Sequence, residues 1–333
     1  MFVAIHIKKF RSVLMGLLLV TLLGGGWLLW NQVDGRERVI YDEEHCIFCL
    51  EEDRLLYPAV PPLQGTDVEE LQERLQELGY YEGPAHGIYD SETVEAVKRL
   101  QSSKGVEVDG YVSAETWPLM ESPMEVSQSA GSRPVTPPPP GKISIRADIQ
   151  QHTLSILSDG EVYMVYPIST GKAKTPSPIG DWKIIEKQKG WGGGFGGYWL
   201  GFNVPWGLYG IHGTNKPWSI GHSQSQGCFR MFNDDVGEIY SWIPVGTIVE
   251  VIDNRTFKLT KNQYRIGQAG QDIVFIQRKL KEKGYDIGIS DGRFGPAVER
   301  AVKDLQEKNN LKADGLVNED ILKLLGLEYE QKN

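Results

Sequence analysis

The chain carries a long-range repeat. Residues 65–117 align without a gap to residues 270–322, each residue of the first copy lying 205 positions before its partner (65 against 270). Matches include Asp67 with Asp272, Gln72 with Gln277, Leu75 with Leu280, Gly79-Tyr80 with Gly284-Tyr285 and Gly87 with Gly292. Further along, Ala96-Val97-Lys98 pairs with Ala301-Val302-Lys303, Leu100-Gln101 with Leu305-Gln306 and Asp109-Gly110 with Asp314-Gly315. Two copies of one small unit, so far apart in a chain of 333 residues, force a multidomain reading, because a third body must fold between them.

Each copy reads as helix, loop, helix, turn and short helix. In the first, Val68, Leu71, Leu75 and Leu78 recur at helical spacing over 67–78, and Gly79 supplies a left-handed stop. A second helix over 91–103 opens on Ser91 as its cap and buries Val94, Val97 and Leu100. The Asp109-Gly110 turn leads to a short helix over 113–119. Between the copies the period changes from helical to alternating. Ile143, Ile145 and Ala147 alternate with polar residues, as do stretches 153–157 and 162–166, with Ser158-Asp159-Gly160 as a turn between them. These are half-buried strands joined by turns, a pattern that fits a mostly-β domain, an unrelated β sandwich included. Residues 121–141, with Ser, Gly and the run TPPPP, read as an extended, stiff linker.

The N-terminus reads differently. Lys8, Lys9 and Arg11 precede an uncharged apolar run at 13–30 that ends in Trp27 and Trp30, and Asp42, Glu43 and Glu44 follow. That run is just long enough to cross a bilayer, and the charge asymmetry puts residues 1–12 in the cytoplasm and the remainder outside. The absence of a small-x-small site after the apolar core favours a retained anchor over a cleaved signal peptide. Residues 31–63 are then a juxtamembrane segment holding Cys46 and Cys49 in a CxxC, read as a local disulfide or a link to another chain. No spacing of His, Cys, Asp and Glu resembles a metal set, so no metal is expected.

Net charge is −9, unevenly spread. Residues 34–120 hold 20 acidic and 7 basic side chains, whereas 255–333 hold 12 and 15. Neither is the basic stripe that nucleic acid requires, and the acidic part reads as a solvated surface. Residues 190–198, GWGGGFGGY, lack the lysine and hydroxyl of a phosphate loop, so nucleotide binding is rejected. They form either a surface hairpin or a loop by the active site, with Trp191, Phe195 and Tyr198 placed to cover substrate.

Residues 211–233 read IHGTNKPWSIGHSQSQGCFRMFN and carry the chemistry. Cys228 sits between Gly227 and Phe229, downstream of His212, in a chain whose other cysteines are Cys46 and Cys49. A thiol nucleophile needs an acceptor for its proton, which the imidazole of His212 supplies. Gly227 allows close backbone approach, so that nearby amides can stabilise an oxyanion. Asn233, Asp234 and Asp235 read as the cap of a helix over 236–242. His222, six residues before Cys228, reads as a water-facing loop residue, with a second base as the alternative.

This stretch resembles the catalytic signature of the L,D-transpeptidases of bacterial cell walls. The matching positions are His212-Gly213, Ser225, Gly227, Cys228, Arg230 and Asn233; Gln226 stands where the family has a second histidine. Ser169-Thr170-Gly171-Lys172 followed by Thr175-Pro176, Pro178 and Gly180 resembles another hallmark of that family. The repeated units resemble the small three-helix peptidoglycan-binding domain. The resemblance implies a mostly-β L,D-transpeptidase catalytic domain, a β sandwich or barrel-like sheet, at 142–253 between two all-α three-helix domains at 64–120 and 254–328; the single-pass cell-membrane anchor read from the apolar run places them all outside. It implies a cysteine acyl-enzyme on peptidoglycan tetrapeptide stems and 3→3 cross-links, with no cofactor. Cys228 and His212 are the catalytic pair, Gly213 orients the histidine, and amides near Gly227 form the oxyanion hole. Arg230, Ser225 and Asn233 bind substrate or brace the loop. An L,D-carboxypeptidase on the same stems and a non-catalytic, membrane-tethered wall-binding protein are the alternatives.

Overall fold

The computed structural model describes residues 54–121, 136–190 and 192–330. The expected cytoplasmic tail at 1–12, membrane helix at 13–30, Cys46 and Cys49, most of the 121–141 linker and Trp191 lie outside the described residues. Among the described residues no helix is long and apolar enough to cross a membrane.

The first repeat folds as α1 (Thr66–Glu77), α2 (Ser91–Lys104) and a 3-10 turn, Trp117–Met120. Val68, Leu71, Leu75, Val97 and Leu100 close a core with Tyr89, Trp117 and Met120, and Gly79 ends α1 at φ +77°. Two local expectations are corrected. The cap of α2 is Asp90, whose carboxylate accepts from the Thr93 amide at 2.9 Å, not Ser91. Asp90 has the extended backbone a cap needs, whereas Ser91 is already helical. The short helix expected over 113–119 is replaced by the 3-10 turn, since Pro118 has no amide to donate from the interior of such a helix.

The middle of the chain forms β1 (Ile143–Asp148), β2 (Thr153–Ser158), β3 (Glu161–Pro167), β4 (Thr170–Gly171), β5 (Gly180–Lys189), β6 (Tyr198–Phe202), β7 (Gly210–His212), β8 (Ser223–Ser225), β9 (Phe229–Arg230), α3 (Asn233–Trp242) and β10 (Ile248–Ile252). Asp159 and Gly160, both at positive φ, make the tight turn between β2 and β3. One sheet runs β3-β2-β1-β10-β5-β6-β7-β9, parallel at β1–β10 and β7–β9 and otherwise antiparallel; β4 and β8 form a separate parallel pair. The sheet curls until its edges meet, so it is not a sandwich. Ser169, just past β3, donates to the Arg230 carbonyl of β9 at 2.9 Å and accepts from its amide at 3.1 Å. Helix α3 lies on the curl, burying Val236 and Ile239 with Trp182, Leu200, Ile211 and Phe229.

The second repeat folds as α4 (Gln271–Glu282), α5 (Pro296–Lys308) and α6 (Glu319–Leu325) around Ile276, Leu280, Val302, Leu305 and Ile321. Both repeats share hydrophobic interior with the central domain. Trp218 of the central domain enters the core of the first repeat, and Val274 of α4 enters the core of the central domain. The acidic stretch is therefore not simply a solvated surface. On α1, Glu69 pairs with Lys174 at 3.2 Å, Glu73 with Lys172 at 2.9 Å, and Glu70 with Lys216 at 2.7 Å and Arg230 at 2.9 Å.

Candidate active site

Strand register brings the chemistry together. Strands β6, β7 and β9 are neighbours, with Trp199 opposite His212 and His212 opposite Arg230. Ile211 and Phe229, also opposite one another, fill the main core. Side chains alternate across a strand, so Trp199, His212 and Arg230 form a row on the other face. Cys228, one residue before Phe229, joins that face diagonally from His212. There it packs with Phe195 and Trp199 in a small apolar cluster separate from the main core.

His212 is buried and held on three sides. Its Nδ1 lies 2.6 Å from the carbonyl oxygen of Gly213. A carbonyl only accepts, so Nδ1 carries the proton, and in the uncharged form of the ring the lone pair lies on Nε2. The rings of Phe195 and Trp199 lie at 4.8 and 5.9 Å between centroids. Glu186 of β5 in turn accepts from the Trp199 indole at 2.8 Å. The glycine-rich segment thus reaches the site through Phe195. Tyr198 does not: it packs on Tyr240 of α3 at 5.1 Å, because β6 alternation turns it to the opposite face from Trp199.

The turn before Cys228 is stapled from within. Ser225 donates its hydroxyl to the Cys228 carbonyl at 2.5 Å and accepts from the Gly227 amide at 3.0 Å. Gly227 sits at φ +113°, and a Cβ there would lie 2.8 Å from the Tyr209 ring and 3.2 Å from the Pro176 carbonyl. Conformation and space both require glycine. Pro176 belongs to the Thr-Pro-x-Pro loop, which thereby walls the turn before Cys228. Cys228 is buried and not disulfide-bonded, and its thiol points toward the Leu208 carbonyl, 3.9 Å from the sulfur.

Asn233 is corrected in role. It is not a cap: helix α3 begins at Asn233 itself, and the Asn233 side chain accepts from the Thr214 amide at 2.8 Å. A Cβ on Gly213 would lie 2.3 Å from that same Asn233 oxygen, so Asn233 braces the turn that presents the Gly213 carbonyl to His212. Gln226 is buried beside Ser225, whereas His222 is exposed. The group that feels His222 is His152, whose imidazole pKa is lowered first by burial and then by that neighbour. Among the described residues no cluster of three or more His, Cys, Asp and Glu side chains is placed to hold a metal.

Arg230 is fully buried, and its guanidinium donates to Glu70 of the first repeat. The matching carboxylate oxygen accepts from Lys216, in the segment between His212 and Cys228. Burial alone would raise the Glu70 carboxyl pKa, but the two cations outweigh it and hold it at about 2. Glu70 and Lys216 were not recognisable in sequence as site residues; a glutamate on a polar helix and a lysine in a loop are both ordinary surface patterns.

Residues 142–251 match the family described as "L,D-transpeptidase catalytic domain", and residues 64–120 and 269–325 each match "Putative peptidoglycan binding domain". "Putative L,D-transpeptidase YkuD" of Bacillus subtilis is 37% identical over 159 residues, covering 46% of this chain and 96% of that protein. "Putative L,D-transpeptidase YqjB" of the same organism is 32% identical over 173 residues, covering 47% and 90%. Among solved structures, an L,D-transpeptidase from Mycobacterium smegmatis is 28% identical over 34% of this chain and 59% of that one, at a TM-score of 0.29. The chain belongs to the L,D-transpeptidase family. It is an acyltransferase of the bacterial cell wall, with a domain of the peptidoglycan-binding family on each side of the catalytic one.

Proposed function

We propose that Cys228 is the nucleophile and His212 the base of an enzyme that forms 3→3 cross-links between tetrapeptide stems. The Cys228 thiolate adds to the carbonyl of the third stem residue, His212 having taken the thiol proton. The C–N bond to the terminal D-alanine breaks, and its amine leaves with the proton from His212. The side-chain amine of a second stem then attacks the thioester, gives its proton to His212 and releases the thiolate. The backbone amide of Cys228 stabilises the oxyanion in both steps in this reading, the Gly227 amide being given to the Ser225 hydroxyl that holds the turn. One observation carries this reading above the others: the 2.6 Å bond to the Gly213 carbonyl leaves Nε2 as the basic nitrogen, on the strand face that Cys228 shares. Neighbouring strands hold the two groups ready, so orientation is prepaid.

Residues 13–30 anchor the enzyme in the cell membrane in this reading, with the catalytic and helical domains outside, and both helical domains grip peptidoglycan. Tethering raises local substrate concentration without altering the chemistry. The test is product analysis with defined disaccharide tetrapeptides. Cross-linked dimers, and a carbapenem adduct that vanishes in Cys228→Ala, are expected. Trimmed monomers alone mean a carboxypeptidase, and neither product nor adduct leaves a tethered wall-binding protein.

A further inference from the structure

The carboxylate that faces Arg230 comes from a different domain. Arg230 lies two residues after Cys228 on β9, opposite His212, and is fully buried. Lys216, also fully buried, lies in the segment that joins the histidine to the cysteine. Both donate to one carboxylate, that of Glu70 on α1, at 2.9 and 2.7 Å. Trp117 and Trp218 stack beside this triad at 6.4 Å, and the Lys216 ammonium lies 4.1 Å from the Trp117 ring. The Lys216 backbone is tied as well: its amide donates to Thr214 at 2.9 Å, and Thr214 is held by Asn233. One continuous set of bonds therefore runs from Glu70 through Lys216, Thr214 and Asn233 to the turn that orients His212, and through Arg230 to the strand of Cys228.

We propose that Glu70 is a positioning residue of the catalytic site, so that the first helical domain completes the catalytic domain as well as gripping the wall. Buried cations hold their places only when matched by a buried anion, and loss of one partner leaves a bare charge that must move toward water. Movement of Lys216 or Arg230 drags the segment between base and nucleophile. A shift of about 1 Å in that segment costs on the order of 100-fold in rate. The inference rests on Cys228 and His212 being the reacting pair.

The test uses the full chain and defined disaccharide tetrapeptides, with kcat and KM measured separately. Glu70→Gln keeps the shape and removes only the charge. The expected result is a fall in kcat of about 100-fold, with KM changed less than about threefold, slower alkylation of Cys228 by iodoacetamide, and partial recovery in Glu70→Asp. Glu73→Gln, whose partner Lys172 lies farther out, keeps wild-type kcat. If Glu70→Gln does not fold, the double variant Glu70→Gln/Lys216→Met carries the test, because the Glu70 charge is still missing beside Arg230 while the bare ammonium of Lys216 is gone. A folded variant with unchanged kcat, or a rise in KM alone, overturns the proposal. If Cys228→Ala keeps turnover, the nucleophile reading itself fails. If Cys228→Ala is dead and Glu70→Gln is normal, only the role of Glu70 is lost.

Discussion

The two helical domains use the same face of the same helix to dock on the central domain, yet with opposite chemistry. By the alignment of the repeat, Glu69, Glu70 and Glu73 of α1 stand where α4 has Val274, Phe275 and Arg278. The first copy presents carboxylates to Lys174, Lys216, Arg230 and Lys172. The second buries Val274 in the central core, packs Phe275, stacked on its own domain's Phe257 at 5.1 Å, against that core, and sends Arg278 to the Val251 carbonyl at 2.9 Å. What stays constant between copies is internal. Gln72 accepts from the Gly87 amide and Gln277 from the Gly292 amide; Gln101 accepts from the Gly110 amide and Gln306 from that of Gly315. The shared residues hold the unit together, and the divergent ones decide where it docks.

Substitutions at these divergent positions break the comparison at different depths. The largest effect is expected from Glu70→Ala, which takes the Glu70 carboxylate from two buried cations and costs roughly 3–5 kcal/mol, read as a lower melting temperature and faster hydrogen exchange in α1 more than in α4. Acid sharpens the same contrast without a mutation. The Glu70 carboxyl sits at about 2 in the folded protein against an ordinary 4.5, so its contribution is complete above pH 4.5 and is lost as pH falls toward 2. Exchange protection of α1 should drop over that window more than that of α4, whose docking combines the buried Val274 with a partly exposed Lys281–Asp181 pair. Phe275→Ala removes stacked apolar area and is expected to cost about 2 kcal/mol, loosening the second domain alone in calorimetry. Gln271→Ala breaks two bonds to Ile179, at 3.0 and 2.9 Å, and leaves both backbone groups unmatched, for about 1–2 kcal/mol by chemical denaturation. Lys174→Ala, at an exposed ion pair, should change stability by less than about 1 kcal/mol in the same measurement.

The parts legible in sequence were those governed by local rules. Helical spacing located α1 and α2, alternation located β1 to β3, and the His212–Cys228 spacing located two side chains that the parallel β7–β9 pair brings to one face. Docking was not legible. Glu69, Glu70 and Glu73 look like any solvated helix face until the basic rim that covers them is in place. Asn233 misled for a related reason. Its type favours a helix cap, but the Thr214 amide lies within reach across the fold and claims the side chain. Phe195 could be placed near the site only as one of several aromatics, because its packing on His212 depends on where two distant strands meet.

The closure of the sheet at Ser169 and Arg230 has a consequence for biogenesis. The strand that follows Cys228 is bounded on one side by β7 and on the other by a residue some 60 positions earlier in the chain, so it is among the costliest segments to zip into place. On the mechanism proposed above, a half-folded molecule would hold the thiol and the imidazole without the alignment that the reaction needs. Such a chain would be inert toward the wall, and toward its own peptide bonds, until the ring shuts.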